Sequence, residues 1–259
     1  MKKFILVKEH KEFQDIPQSF QKQITQFVHH FDQEGKQFGK ASRNVIKTKE
    51  IDGIKINIKS FKVPHILNQF VYKYLRKSKA HRSFENANYL LKRGVGTPKP
   101  LAYFEFISVF GLQKSYYVSI HQDCDLTFRE LITNPKYDDR EEILKKMADF
   151  TFKLHENNIL FKDHSPGNTL IKKEENEYHF YLVDLNRMEF RSLTFKEKIK
   201  NFARLTPKED MIKTMSHRYA ELIDKAPEQV FELMWQYTQA FQEKFQRKKR
   251  LKKKLGISK

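Results

Sequence analysis

Asp163-His164-Ser165-Pro166-Gly167-Asn168, followed beyond an apolar run by Val183-Asp184-Leu185-Asn186, is the stretch whose reading decides the fold. An Asp, an Asn five residues on and a second Asp at the end of the next strand pattern supply the carboxylate, amide and carboxylate that phosphoryl transfer from a magnesium nucleotide needs. One carboxylate orients the attacking hydroxyl, while the amide oxygen and the other carboxylate hold the metal against the phosphates. The hexapeptide is also an ordinary turn, since Pro fixes φ, Gly permits φ > 0 and Asp and Asn hydrogen-bond their own backbone. Its surroundings favour the first reading. Upstream, Ile143, Met147, Phe150, Thr151 and Leu154 recur at spacings of three and four and predict a helix from Asp139 to Asn157. Downstream, Thr169-Leu170-Ile171 and Tyr178 to Val183 flank the polar turn Lys173 to Glu177 and predict a hairpin.

Helix, loop, hairpin and Asp follow one another in the order of protein-kinase-like folds. A chain of 259 residues can bury a full core as one domain or as two small lobes sharing a cleft. Phe at 23 and Tyr at 11, with no low-complexity tract or internal repeat, mark a globular chain. Cys124 is the only cysteine, which excludes an intrachain disulfide framework and a Cys-rich zinc site and makes a reducing compartment the default. The start has only four apolar residues before charge returns, too few for a signal-peptide core, and no window approaches a membrane span. A soluble cytoplasmic protein is expected, one that can rest on a membrane surface.

The net charge is +18, and half of it comes from nine basic residues after Glu243. Such a field favours polyanionic partners: phosphorylated glycolipid, acidic lipid headgroups or nucleic acid. Residues 244–259 read either as the solvated end of a helix or as a contact for an anionic membrane surface.

Nearer the N-terminus, Phe20, Ile24, Phe27, Val28 and Phe31 predict an amphipathic helix over 17–31, with Asp15 near its N-cap and Pro17 in its first turn. Gly35 and Gly39 then bracket the place where a phosphate-covering loop would sit, although a plain hairpin turn explains them equally well. Ile54-Lys55-Ile56-Asn57-Ile58-Lys59 alternates as a half-buried strand does. Lys59, at the end of that strand, is the candidate for the ATP phosphates, with Lys62 as the fallback. Glu85, on a helix from about Lys79 to Lys92 that ends in a basic residue and Gly94, is the candidate carboxylate to hold it. Leu101–Ile107 and Tyr116–Ile120 complete a small antiparallel sheet with 54–61. His121 to Cys124 is expected as an adenine-binding linker, and Leu126 as the opening of the next helix. This divides the chain into an N-lobe, 1–121, and a helical C-lobe, 122–259.

Several residues read as structural. His155, near a helix end, is a packing or capping residue. His164 follows Asp163 but has no cluster with transition-metal spacing around it. Phe231, Met234, Trp235, Tyr237 and Phe241 lie at helical spacings and read as core. Arg204 and Arg218 are candidates for pairing an acidic sugar, because a guanidinium meets a carboxylate in bidentate fashion.

Asn57-Ile58-Lys59, the Ser78-Lys79-Ala80-His81-Arg82-Ser83-Phe84-Glu85 helix, Gly96-Thr97-Pro98-Lys99-Pro100, Leu154-His155, and Phe161-Lys162-Asp163 with Pro166-Gly167-Asn168 and Val183-Asp184 together resemble the lipopolysaccharide core kinase (Kdo/WaaP) family over roughly residues 40 to 190. The resemblance implies a protein-kinase-like, two-lobed α+β fold. It implies ATP- and Mg2+-dependent phosphorylation of a sugar hydroxyl, on Kdo or heptose, in a lipid-linked saccharide acceptor at the inner face of the cytoplasmic membrane. Position by position it implies Lys59 on the ATP phosphates with Glu85 as ion-pair partner, Asp163 as catalytic base, and Asn168 and Asp184 as magnesium ligands. Nucleic acid is not the expected partner. The alternatives are a kinase for another small molecule or a protein, and a basic pseudokinase scaffold at the membrane.

Overall fold

A computed structural model of the chain describes residues 5–9, 16–39, 44–61, 76–108 and 111–256. They fall into two compact units, Met1–Asp123 with Asp184–Asn186, and Cys124–Val183 with Arg187–Lys259. Lys62 and Asp15 lie outside the described residues, as do 40–43 between Gly39 and the next strand.

The first unit is built on β1 (Ile5–Glu9), α1 (Gln18–His29), β2 (Lys36–Gln37), β3 (Asn44–Ile51), β4 (Ile54–Phe61), α2 (Lys79–Leu91), β5 (Pro100–Ser108) and β6 (Gly111–Ile120). Among the described residues the strands form one antiparallel sheet in the order β1-β5-β6-β4-β3-β2. Alternation in β4 gives the sheet its two faces. Ile56 and Ile58 enter a core with Phe20, Ile24, Phe27 and Val28 of α1 and Val118 of β6. Phe61 instead joins Tyr103 and the α2 residues Ala80 and Phe84. Lys59, opposite Ile46 and Tyr117 in the ladder, carries its ammonium 5.3 Å from the centre of the Phe61 ring. Helix α2 starts where the Ser78 hydroxyl accepts from the His81 N–H, at 3.0 Å, and Gly94 in the left-handed region (φ 64°) follows its end.

Gly35 (φ 77°) serves packing. A Cβ there would stand 2.5 Å from the Phe27 ring, so the chain turns against α1 before Lys36–Gln37 pairs with Lys47–Thr48. The Lys47 ammonium ties this turn by donating to the carbonyls of Phe31, Asp32 and Glu34.

The second unit contains β7 (Leu126–Thr127), α3 (Phe128–Thr133), α4 (Arg140–Glu156), β8 (Ile159–Phe161), β9 (Thr169–Glu174), β10 (Glu177–Leu182), β11 (Met188–Phe190), α5 (Phe195–Lys200), α6 (Glu209–Leu222) and α7 (Pro227–Lys254). Leu126 pairs with Ile171 instead of opening a helix. The helix starts two residues later, because Thr127 and Glu130 form a capping box. The β9–β10 hairpin closes on Glu175 and Asn176, both at positive φ as a two-residue turn of this twist requires. The core gathers Ile143 and Met147 of α4, Phe202, Met215 and Tyr219, and Val230 and Met234 of α7. No described helix is long and apolar enough to cross a membrane.

Candidate active site

In the second unit the chain leaves β8 at Phe161 and enters a loop that its own backbone holds. The His164 N–H donates to the Phe161 carbonyl, the Asn168 N–H to that of Ser165, and the Val183 N–H to that of Asn168. The Asn168 side chain closes the loop, its Nδ2 donating to the Asp163 carbonyl at 2.8 Å. This commits the nitrogen and leaves Oδ1 as the side chain's remaining polar atom.

A buried chain of hydrogen bonds supports the loop from beneath. Asn201 Nδ2 donates to the Phe161 carbonyl at 2.9 Å, and its Oδ1 faces His155 Nε2 at 3.2 Å. That oxygen can only accept, so the proton is on Nε2, and His155 Nδ1 accepts from the Tyr219 hydroxyl at 2.8 Å. Burial pushes the His155 pKa down to about 4, and the bond to Asn201 opposes that only in part. His164 is wholly buried against the Phe161 and Phe202 rings, with no hydrogen-bond partner for either ring nitrogen among the described residues. Burial above all, with the nearby Arg204 guanidinium, pushes it down to about 3. Both histidines are thus neutral packing groups under the loop.

Asp163 presents one oxygen to two guanidiniums. Nη1 of Arg187 donates to Oδ1 at 3.0 Å and Nη1 of Arg204 to the same atom at 2.8 Å. Arg204 is anchored by a second bond to the Lys162 carbonyl at 2.6 Å, and its guanidinium lies 5.7 Å from the centre of the Phe241 ring. Arg129 Nη2 lies against Gly167, 2.7 Å from where a Cβ would stand, so a larger residue there would displace the exposed Arg129 side chain. Arg218 is engaged elsewhere, by Asp149 and Glu221.

In the first unit the Lys59 ammonium meets Asp184 Oδ1 at 2.7 Å, with the lysine side chain only 13% exposed. Asp184 is held at φ 62°, a left-handed conformation uncommon outside glycine and frequent where a site fixes its backbone. Two amides brace it: Asn186 Nδ2 donates to Asp184 Oδ1 at 2.8 Å, and Asn86 Nδ2 to the Leu185 carbonyl at 2.6 Å. The expected pairing of Lys59 with Glu85 is not formed. Glu85 instead meets Lys77 and, one helical turn back, His81 at 3.1 Å; burial raises its carboxyl, but the hydrogen bonds and charge of these partners outweigh burial and hold it below the usual range. Lys55, on the same strand as Lys59, pairs with Asp123 at the surface.

Each unit carries an oxygen donor of a kind that magnesium takes, the ion using one or two carboxylates and completing its shell with water and phosphate oxygens. Asp184 offers a carboxylate now neutralised by a cation, and Asn168 an amide oxygen whose nitrogen is already committed. Lys59 is a strand-borne ammonium suited to phosphate. Sequence reasoning missed Arg187, Tyr219 and Asn86. Nothing in their spacing marks them, because each acts on a residue distant in sequence.

Residues 33–225 match the model of the lipopolysaccharide kinase (Kdo/WaaP) family. The chain belongs to this family. Kdo/WaaP kinases are phosphotransferases acting on sugar hydroxyls of lipopolysaccharide, and the chain is an enzyme of that class. Among solved structures, one described as WaaP in complex with acyl carrier protein aligns with 85% of this chain and 92% of that chain, at a TM-score of 0.59 and 14% identity. That likeness carries the protein-kinase-like α+β fold of the Kdo/WaaP family, with its sheet-based and mainly helical parts. No curated protein matches the sequence.

Proposed function

We propose that the chain transfers the γ-phosphoryl group of ATP, with Mg2+, to a hydroxyl of Kdo or heptose in the lipid-linked inner core. The observation that carries this reading is Asp163: it leads a loop closed by Asn168, and its Oδ2 is left to an incoming hydroxyl while both arginines take Oδ1. The acceptor hydroxyl donates its hydrogen bond to Asp163 and attacks phosphorus in line. The new bond joins the sugar oxygen to γ-phosphorus, the bond to the β-phosphate oxygen breaks, the hydroxyl proton passes to Asp163 and ADP leaves. Lys59 neutralises charge on the α- and β-phosphates. Asn168 and Asp184 would hold the metal, which when bound screens the phosphate oxygens and stabilises charge on the leaving group. The test is mass spectrometry of lipopolysaccharide from cells with and without the gene, paired with transfer from labelled ATP to a delipidated core oligosaccharide by the purified protein. Loss of one phosphate in the cells and labelled product in the tube are expected; unchanged phosphorylation in both would overturn the reading.

The basic end of α7 suits an anionic membrane surface at the cytoplasmic face. From Glu243 to Gly256 every residue is exposed, and each basic residue near such a surface contributes on the order of 1 kcal/mol. Deleting residues 244–259 is expected to weaken binding to acidic liposomes in a salt-sensitive way while phosphorylation of a delipidated acceptor stays within about twofold. Equal liposome binding by truncated and intact protein at low salt would remove the membrane role.

A further inference from the structure

Arg187 and Arg204 use little of their hydrogen-bonding capacity on Asp163. A guanidinium has five N–H groups. Arg187, with its side chain 57% exposed, spends only Nη1 among the described residues. Arg204 divides Nη1 between Asp163 and the Lys162 carbonyl, and its buried Nε finds no partner among the described residues. Asp163 is the only carboxylate in contact with either arginine among the described residues, so the pair leaves one positive charge uncompensated beside the base. The exposed Arg129 of α3 adds another, its Nη2 lying beside Gly167 of that loop. The neighbouring Lys162 is, by contrast, already paired with Glu189.

Two guanidiniums on one oxygen of the base therefore flank the position of the hydroxyl that the base receives. A hydroxyl held at hydrogen-bond distance by Oδ2 carries the substituents of its own and adjacent carbons into reach of both forks. We infer that Arg187 and Arg204 select an acceptor bearing an anionic group beside the hydroxyl to be phosphorylated, with the exposed Arg187 exchanging Asp163 for that anion as the acceptor seats. Planar forks bind carboxylate or phosphate in bidentate fashion, which a lysine does not reproduce. The inference rests on the kinase reading above for the role of Asp163, and it adds what the acceptor must carry.

Binding without nucleotide tests it. Full-length protein is titrated with a delipidated inner-core oligosaccharide in separate preparations: intact, with carboxylates methyl-esterified, and with phosphates removed. One of the two modifications is expected to weaken binding by about tenfold or more, since a site built for an ionic bidentate partner rejects its neutral analogue, and the modification that does so identifies the anion. In Arg187→Gln and Arg204→Gln the same modification should change affinity less than about twofold. Arg187 is exposed, so its variant is expected to melt like the parent and keeps the test valid if Arg204→Gln is unstable. The inference is overturned if the parent fails to bind the intact oligosaccharide, if neither modification matters, or if Arg187→Gln discriminates as well as the parent. Binding as expected with no transfer from ATP would instead fail the kinase reading and leave the anion site standing.

Discussion

Asp163 and Asp184 are both carboxylates held by cations, yet they are held differently. Asp184 faces one lysine ammonium, 125 residues away in sequence, and is braced by the Asn186 amide. Asp163 faces two guanidinium forks, 24 and 41 residues away, in a loop closed by its own Asn168. An ammonium is a compact, strongly hydrated point charge that a phosphate or a divalent cation can replace at little geometric cost; a guanidinium fork imposes direction. The first arrangement suits a carboxylate that must accept a metal, the second one that must be aimed.

Replacing either carboxylate breaks the comparison most severely. Asp184→Ala should abolish nucleotide-dependent transfer to core oligosaccharide, and Asp163→Ala should cut turnover by about 10²–10⁴ while sparing ATP binding measured by calorimetry. Near-parental turnover in either variant would remove that residue from the reaction.

Lysine variants sharpen the first half. Lys59→Ala should lower kcat/KM for ATP by about a hundredfold, whereas Glu85→Gln, whose partners are Lys77 and His81, should stay within about threefold. A large loss in Glu85→Gln would show that Lys59 changes partner during turnover.

The smallest effect concerns the support beneath Asp163. His155 and His164 are neutral in the fold, with pKa values near 4 and 3 against an ordinary 6.5, so the unfolded chain binds more protons than the folded one between those values. Stability is therefore complete above pH 6.5 and declines as pH falls towards 4, by at most about 1.4 kcal/mol per pH unit for each histidine. Melting temperatures at steps from pH 7.5 to 4.5 should trace this, and His164→Phe, which removes two partnerless buried nitrogens, should flatten the slope. An unchanged slope in that variant would count against the assignment.

What was legible in the sequence follows the same division. The Asp163–Asn168 loop could be read because its contacts close within six residues, α4 because its apolar spacing is local, and the end of α2 because a basic residue and Gly94 mark it locally. The partner of Lys59 could not. Strand periodicity fixes which face a lysine occupies, but not which of several carboxylates the fold returns to that face, and the family pattern pointed to Glu85 where Asp184 stands. Leu126 stands next to the capping box that opens α3, and its pairing with Ile171 is non-local, so no local signal sets it apart from that helix. The two arginines on Asp163 come from a strand approach and a short helical turn that carry no motif.

Helix α7 spans 28 residues, about 42 Å, but buries none beyond Thr238. From Glu243 onward every described residue of it is exposed, and like charges lie one turn apart at Lys244 and Lys248, Lys248 and Lys252, Lys249 and Lys253, and Arg250 and Lys254. Each such pair costs a few tenths of a kcal/mol, while the favourable placement of Lys252–Lys254 at the carbonyl end offsets part of it. Amide hydrogen exchange should accordingly quicken residue by residue from Glu243 outward, as a helix near its coil transition does. Polyanions that neutralise the charges would lengthen the helix, so order in this segment becomes a readout of the ionic surroundings.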